Sequence, residues 1–163
     1  MIRAAGGIAA AAVLLLAACA TLQPPRQDTV FDLQGRIAVR YRDESFSANL
    51  AWRHARGGDE MMISSPLGQG IARILREGGE VTLTTAEPRE YRADDAESLT
   101  EMVLGFRVPL EGLAQWVQGL PAPELESRGW KVEYQERDAQ GRPARMRMTY
   151  PGVELRLAIS EWR

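Results

Sequence analysis

From Phe31 onward the chain alternates. Phe31, Leu33, Ile37, Val39 and Tyr41 share one parity, and Asp32, Gln34, Arg36, Arg40 and Arg42 the other. Successive side chains of a strand point to opposite faces, so this period of two specifies a long strand with one apolar and one solvated side. Gly35 falls on the apolar parity and marks a bend or a close backbone approach. After a turn at Asp43-Glu44 the alternation resumes in Phe46, Ala48, Leu50 and Trp52. Arg56-Gly57-Gly58-Asp59 turns the chain into residues 61–64, and Ser65-Pro66-Leu67-Gly68-Gln69-Gly70 leads into residues 71–76. Gly78-Gly79 precedes residues 81–85, and Pro88 a short strand at Tyr91. Short strands separated by hairpin signals predict an antiparallel meander.

The middle of the chain changes period. Asp94-Asp95 is placed to cap a helix with Glu97 in its first turn, Leu99, Met102 and Val103 on one face, and Gly105 at its end. Pro109 opens a second helix with Leu110, Leu113, Trp116, Val117 and Leu120 as its apolar stripe, stopped by Gly119 and Pro121. Strands resume at residues 130–134, return at residues 145–150 after Gln140-Gly141-Arg142-Pro143, and run from Val153 to Trp162. Two short amphipathic helices between two strand blocks must bury their stripes on the apolar face of the sheet. A closed barrel filled by its own side chains would not need them. The expected architecture is mainly β: an open or half barrel with the helices as plug or lid.

The N-terminus carries a different kind of information. Arg3 precedes an apolar run of nine residues, 8–16, too short for a membrane span, which needs about 20. Leu16-Ala17-Ala18-Cys19 follows, with the only cysteine of the chain. This pattern resembles the bacterial lipobox. It implies that residues 1–18 are a signal removed after Ala18, and that Cys19 then carries a diacylglyceryl group and an N-linked acyl chain. No other cofactor is expected. Residues 19–29, with Pro24-Pro25, read as a tether, and residues 30–163 as a single domain. Ala20 is not the Asp of the inner-membrane retention signal familiar from enterobacteria, so the outer membrane is the expected destination.

The formal net charge is −2, and loss of Arg3 with the signal makes it −3, which argues against nucleic acid as a partner. No catalytic constellation stands out. The single histidine, His54, next to a hairpin turn, reads as a surface residue. Ser64-Ser65 has no base nearby, Asp94-Asp95 reads as a cap, and Gly68-Gln69-Gly70 is not followed by the Lys-Ser/Thr of a phosphate loop. The reading is a binding or transport protein, not an enzyme. Met61, Met102, Met146 and Met148 suit either core filling or a variable apolar ligand. Leu67, between Pro66 and Gly68, either tucks into the core or projects into solvent.

Several stretches together resemble the LolB family of outer-membrane lipoprotein receptors. They are residues 31–39 (Phe-Asp-Leu-Gln-Gly-Arg-Ile-Ala-Val), the strand end at Trp52, Ser65-Pro66-Leu67-Gly68, Tyr91-Arg92-Ala93-Asp94, Pro109-Leu110 to Leu113, Trp116-Val117-Gln118-Gly119-Leu120-Pro121, and the strands at Trp130 and Trp162. The resemblance implies an incomplete, half-open antiparallel β-barrel whose short amphipathic helices form a lid over an apolar cavity. It also implies a monomer, lipid-anchored at the periplasmic face of the outer membrane. Such a protein takes lipoprotein acyl chains from a soluble LolA-like periplasmic carrier and inserts them into outer-membrane lipid. Leu67 matches the family's projecting loop residue, which acts in membrane insertion. The expected acyl-chain cavity is lined by Ile37, Val39, Leu50, Trp52, Ile63, Ile74 and Leu83 on the sheet and by Leu99, Val103, Leu113, Trp116 and Val117 on the lid. The family's helix before the first strand is shortened or absent here, because only about a dozen residues separate Cys19 from Phe31, and the segment between Pro121 and Gly129 is short. The competing expectation is a structural or assembly lipoprotein that binds partner proteins through its sheet edge.

Overall fold

A computed structural model describes residues 28–163; Cys19, the expected signal at residues 1–18 and most of the expected tether at residues 19–29 lie outside the described residues. The chain forms β1 (Thr29–Tyr41), β2 (Glu44–Ala55), β3 (Gly58–Ser64), β4 (Gly70–Glu77), β5 (Glu80–Thr85) and β6 (Glu90–Ala93). Three helices follow, α1 (Ala96–Leu104), α2 (Leu110–Val117) and α3 (Pro123–Ser127), and then β7 (Lys131–Arg137), β8 (Pro143–Tyr150) and β9 (Val153–Trp162). The strands make one antiparallel sheet in the order β6-β5-β4-β3-β2-β1-β9-β8-β7. Both β6 and β7 are edges, so the barrel is not closed.

The alternation sets the faces. Leu33, Leu50, Trp52, Met61, Ile74, Met146, Met148, Leu155 and Leu157 are buried on the concave side with the helices. Gly35 sits at a bulge, where the register of β1 against β9 shifts between Gln34 and Gly35. A Cβ there would lie 2.3 Å from the Ala158 carbonyl oxygen, so the close approach expected of this glycine is real. The first hairpin turns at Arg42-Asp43, not Asp43-Glu44, with Arg42 in the left-handed region at φ 53°. The second turn uses only Arg56-Gly57; Gly58 and Asp59 already belong to β3.

The helices begin and end for local reasons. Asp95 caps α1, its side chain accepting from the Ser98 amide at 2.7 Å, and Gly105 ends it at φ 79°. On α1, Leu99 is fully buried while Met102 is exposed, so the expected three-residue face is narrower than its spacing suggested. α2 stops at Val117, which leaves Leu120 half exposed beyond Gly119 and off the apolar stripe. The segment between Pro121 and Gly129 contains α3, which the sequence pattern did not reveal. Its Leu125 packs so closely on α2 that a Cβ on Gly112 would fall 2.4 Å from it.

Candidate functional site: an apolar cavity under a helical lid

The concave face of the sheet and the α1–α2 lid leave a cavity of about 320 Å³ between them. Its sheet wall includes Ile37, Val39, Leu50, Trp52, Met61, Ile63, Ile74, Met148, Leu155 and Leu157. Its lid wall is Thr100, Val103, Leu104, Phe106, Val108, Leu110, Leu113 and Val117. Tyr41, Glu44, Ser45 and Phe46 complete it at the first hairpin.

The few polar groups deeper in this wall are satisfied away from the cavity. Trp52 donates its indole Nε1–H to Asp59 Oδ1 at 2.8 Å. Thr100 Oγ1 donates to the Ala96 carbonyl at 2.9 Å and accepts from the Val108 amide at 2.8 Å, fixing the α1–α2 loop over the cavity. Tyr41 donates its hydroxyl to the Gly105 carbonyl at 3.2 Å, and its ring lies 4.8 Å from that of Phe106, joining the lid to the rim of the sheet. What the cavity offers a guest is therefore hydrocarbon contact, with polarity confined to the hairpin end.

Of the sequence-predicted cavity residues, Ile37, Val39, Leu50, Trp52, Ile63, Ile74, Val103, Leu113 and Val117 are in this wall, whereas Leu83, Leu99 and Trp116 are not. Those three are buried core residues. α1 packs directly on β5 and β6, so Leu83 and Leu99 meet closely packed neighbours instead of open space. On α2, Leu110, Leu113 and Val117 face the cavity, and Trp116 lies about 60° further round the helix from Leu113. There Trp116 is buried in the core, and the Tyr134 hydroxyl of β7 donates to its carbonyl at 2.9 Å. Met61 and Met148 line the cavity, Met146 is core and Met102 is exposed.

An ionic row closes the floor. Phe31, His54, Asp59, Arg76 and Val81 lie opposite one another across β1 to β5, on the inward parity. Asp59 is fully buried, with His54 Nδ1 at 2.6 Å from Oδ1 and Arg76 Nε donating to Oδ2 at 2.7 Å. Burial pushes the Asp59 carboxyl up. The hydrogen bonds from His54, Trp52 and Arg76 outweigh it and hold the group below the usual carboxylate range. His54, expected at the surface, is instead largely buried, stacked on Phe31 at 5.0 Å between ring centres. Arg76 also reaches Glu111 of α2 at 3.3 Å, tying the lid to the floor. A second cleft, of about 330 Å³, lies beyond this row between the β4–β5 turn and the helices. Ion pairs Arg76–Glu111 and Arg128–Glu97 cross it, so it gives hydrocarbon no comparable wall.

Leu67 lies at the tip of the β3–β4 loop and is 89% exposed. The loop is built, not slack. The Gly68 amide donates to the Ser65 carbonyl at 2.8 Å, the Ser65 amide to the Gln69 carbonyl at 2.8 Å, and Asn49 Nδ2 to the Ser65 carbonyl at 2.9 Å. Gly68 takes φ 85°, which turns the chain directly after Leu67. A large apolar side chain is thus held in water by a hydrogen-bonded turn.

This arrangement can be set beside known proteins. The family described as outer membrane lipoprotein LolB matches residues 29–162. An outer-membrane lipoprotein LolB of Chromobacterium violaceum is 37% identical, over 92% of this chain and 94% of its own. That of Thiobacillus denitrificans is 34% identical over 91% of each chain, and that of Nitrosomonas europaea 35% over 82% and 72%. A solved LolA superfamily protein from Nitrosomonas europaea superposes with a TM-score of 0.48 at 10% identity, over 84% of this chain and 86% of that one. With a family match spanning every strand and helix and relatives above 30% identity along most of the chain, this protein belongs to the LolB family of outer-membrane lipoproteins.

Proposed function

We propose that this outer-membrane lipoprotein is the acceptor in lipoprotein sorting. It takes the acyl chains of a cargo lipoprotein from a soluble, LolA-like periplasmic carrier into the cavity, and it delivers them to the bilayer at Leu67. The observation that carries this reading is the cavity wall itself, whose deeper polar groups are all engaged elsewhere. Hydrocarbon exposed to water costs about 0.8 kcal/mol per CH₂, so a relay between apolar cavities, with the bilayer as final sink, runs downhill without nucleotide hydrolysis.

Leu67 is the second element. An exposed leucine held at a loop tip suits an interfacial wedge. Leu16-Ala17-Ala18-Cys19 supports a lipid anchor on Cys19 after removal of residues 1–18 and is consistent with a domain at the periplasmic face; we read that domain as a monomer. The test is a handover. A Cys19→Ala mature chain, free of any anchor, is mixed with a carrier loaded with lipoprotein, and the cargo is followed by pull-down on each partner. Cargo is expected on this chain. Cargo that stays on a competent carrier, with the chain folded, would leave the sheet-edge assembly reading in its place.

A further inference from the structure

One region of the sheet's outer face, on β1, β9 and β8, is rich in arginine, although the chain as a whole is acidic. On β1, β9 and β8 the side chains pointing away from the cavity include Arg36, Arg40, Arg147 and Arg156. Three of these guanidiniums converge on one carboxylate, Glu154: Arg156 at 2.8 Å, Arg147 at 3.1 Å and Arg40 at 3.3 Å. One carboxylate cannot neutralise three cations. Arg147 finds only a distant second partner, Glu133 at 3.7 Å, and Arg36 has no carboxylate partner among the described residues. The chain as a whole has a formal charge of −2, so this is a segregated positive patch and not the average surface.

The patch also has a shape. Ala38, Ser45 and Ser47 are small, and with Arg40, Arg156 and Glu154 they line a depression on this face. The two guanidiniums and two hydroxyls in this lining are donors of the kind that a phosphodiester oxygen takes. Ser45 and Ser47 lie on the part of β2 that outruns β3, whose pairing with β2 ends at Asn49–Ser64. The loop bearing Leu67 leaves the sheet there, pinned to Asn49. Phosphate donors and an exposed apolar tip thus share one end of the sheet.

We infer that this arginine face binds the phosphate headgroups of anionic phospholipids in the bilayer, and so orients the domain with Leu67 against the membrane. The inference deepens the delivery role proposed above and rests on it. A bilayer supplies both an anionic surface and an apolar layer beneath it, which matches the pairing of these two features.

The test uses the whole mature chain with Cys19→Ala, so that no acyl group tethers it. It is floated with vesicles of phosphatidylcholine alone or of phosphatidylcholine with about one third phosphatidylglycerol. Binding is expected to the anionic vesicles only and to fall as salt rises. Arg40→Gln with Arg156→Gln should weaken it about thirty-fold, from about a factor of five per arginine lost at an anionic surface. Arg40→Lys with Arg156→Lys should retain most of it. Arg89→Gln with Arg92→Gln, an equal charge change elsewhere, should leave it intact. Arg36→Gln, which breaks no ion pair among the described residues, should weaken it about five-fold and serves if the double variant fails to fold. No vesicle binding, no preference for anionic vesicles, or an equal loss in the Arg89/Arg92 control would each overturn the inference. Cargo handover needs no bilayer, so intact handover with failed vesicle binding removes this inference alone, and failed handover with intact vesicle binding removes the acceptor reading alone.

Discussion

Trp52 and Asp59 face each other across the cavity floor, with the indole Nε1–H donating to a carboxylate that has no exposed surface. A residue that presents its ring to the cavity is held in place by a charge outside it. Asp59→Asn keeps the shape but leaves Arg76 largely buried without its anion. Breaking such a pair from one side costs about 3 kcal/mol. The expected result is a clear drop in Tm in a thermal melt and weaker uptake of an apolar fluorescent probe. An unchanged melt would mean that Arg76 is compensated by Glu111 alone.

The same carboxyl makes stability depend on pH in a defined direction. Its folded pKa lies below the ordinary value, so its contribution is fully present above the unfolded carboxyl pKa of about 3.9 and is lost as pH falls through the folded one. Asp95, held low by the Ser98 amide and hydroxyl, acts in the same sense. Urea unfolding should therefore show little change down to about pH 5 and a steep fall below about pH 4. Asp59→Asn should flatten that fall. An equally steep decline in the variant would assign it to other carboxyls.

Tyr41 holds the end of α1 through a single hydrogen bond to Gly105. Tyr41→Phe removes that bond and keeps the contact with Phe106. One exposed hydrogen bond contributes about 1 kcal/mol or less. Release of a bound apolar probe is expected to speed up by as much as about five-fold, with Tm lowered by a few degrees at most. Identical release kinetics would show that this corner of the lid does not move when the guest leaves.

Leu67→Glu should fold like the parent, because the side chain packs on nothing and the turn is made by backbone bonds. It should accept cargo from the carrier normally and fail to deliver it to liposomes. Normal delivery by the folded variant would take the loop out of the mechanism.

Gly35→Ala tests the bulge. Its Cβ would meet the Ala158 carbonyl oxygen at 2.3 Å, and that oxygen belongs to backbone that cannot rotate away. A loss of about 2 kcal/mol in chemical denaturation is expected. A neutral result would mean that β9 can slide against β1 at this point.

Much of the sheet was legible because β1, β2, β8 and β9 alternate, and alternation fixes the face directly. Three cavity assignments went astray for one reason. The period of two says that Leu83 points inward, but not that α1 will lie on top of it. Likewise the stripe on α2 does not say which of its apolar residues face the cavity and which pack into the core. α3 escaped because five residues with one buried leucine are too short to show a period. Asp59 escaped because the preceding glycines made it look like part of a turn. Its signal was available in the parity, since it lies two residues before Met61 on the inward side. An acid there requires partners, and His54 and Arg76 stand opposite it in the register.

The free edges at β6 and β7 have a mechanical consequence. A closed hoop of hydrogen-bonded strands has a fixed girth, and widening it means breaking a ladder. Here the perimeter is interrupted, and side-chain packing under the helices spans the gap instead. An open perimeter of this kind can change its girth through small rotations between neighbouring strands, with no ladder to break.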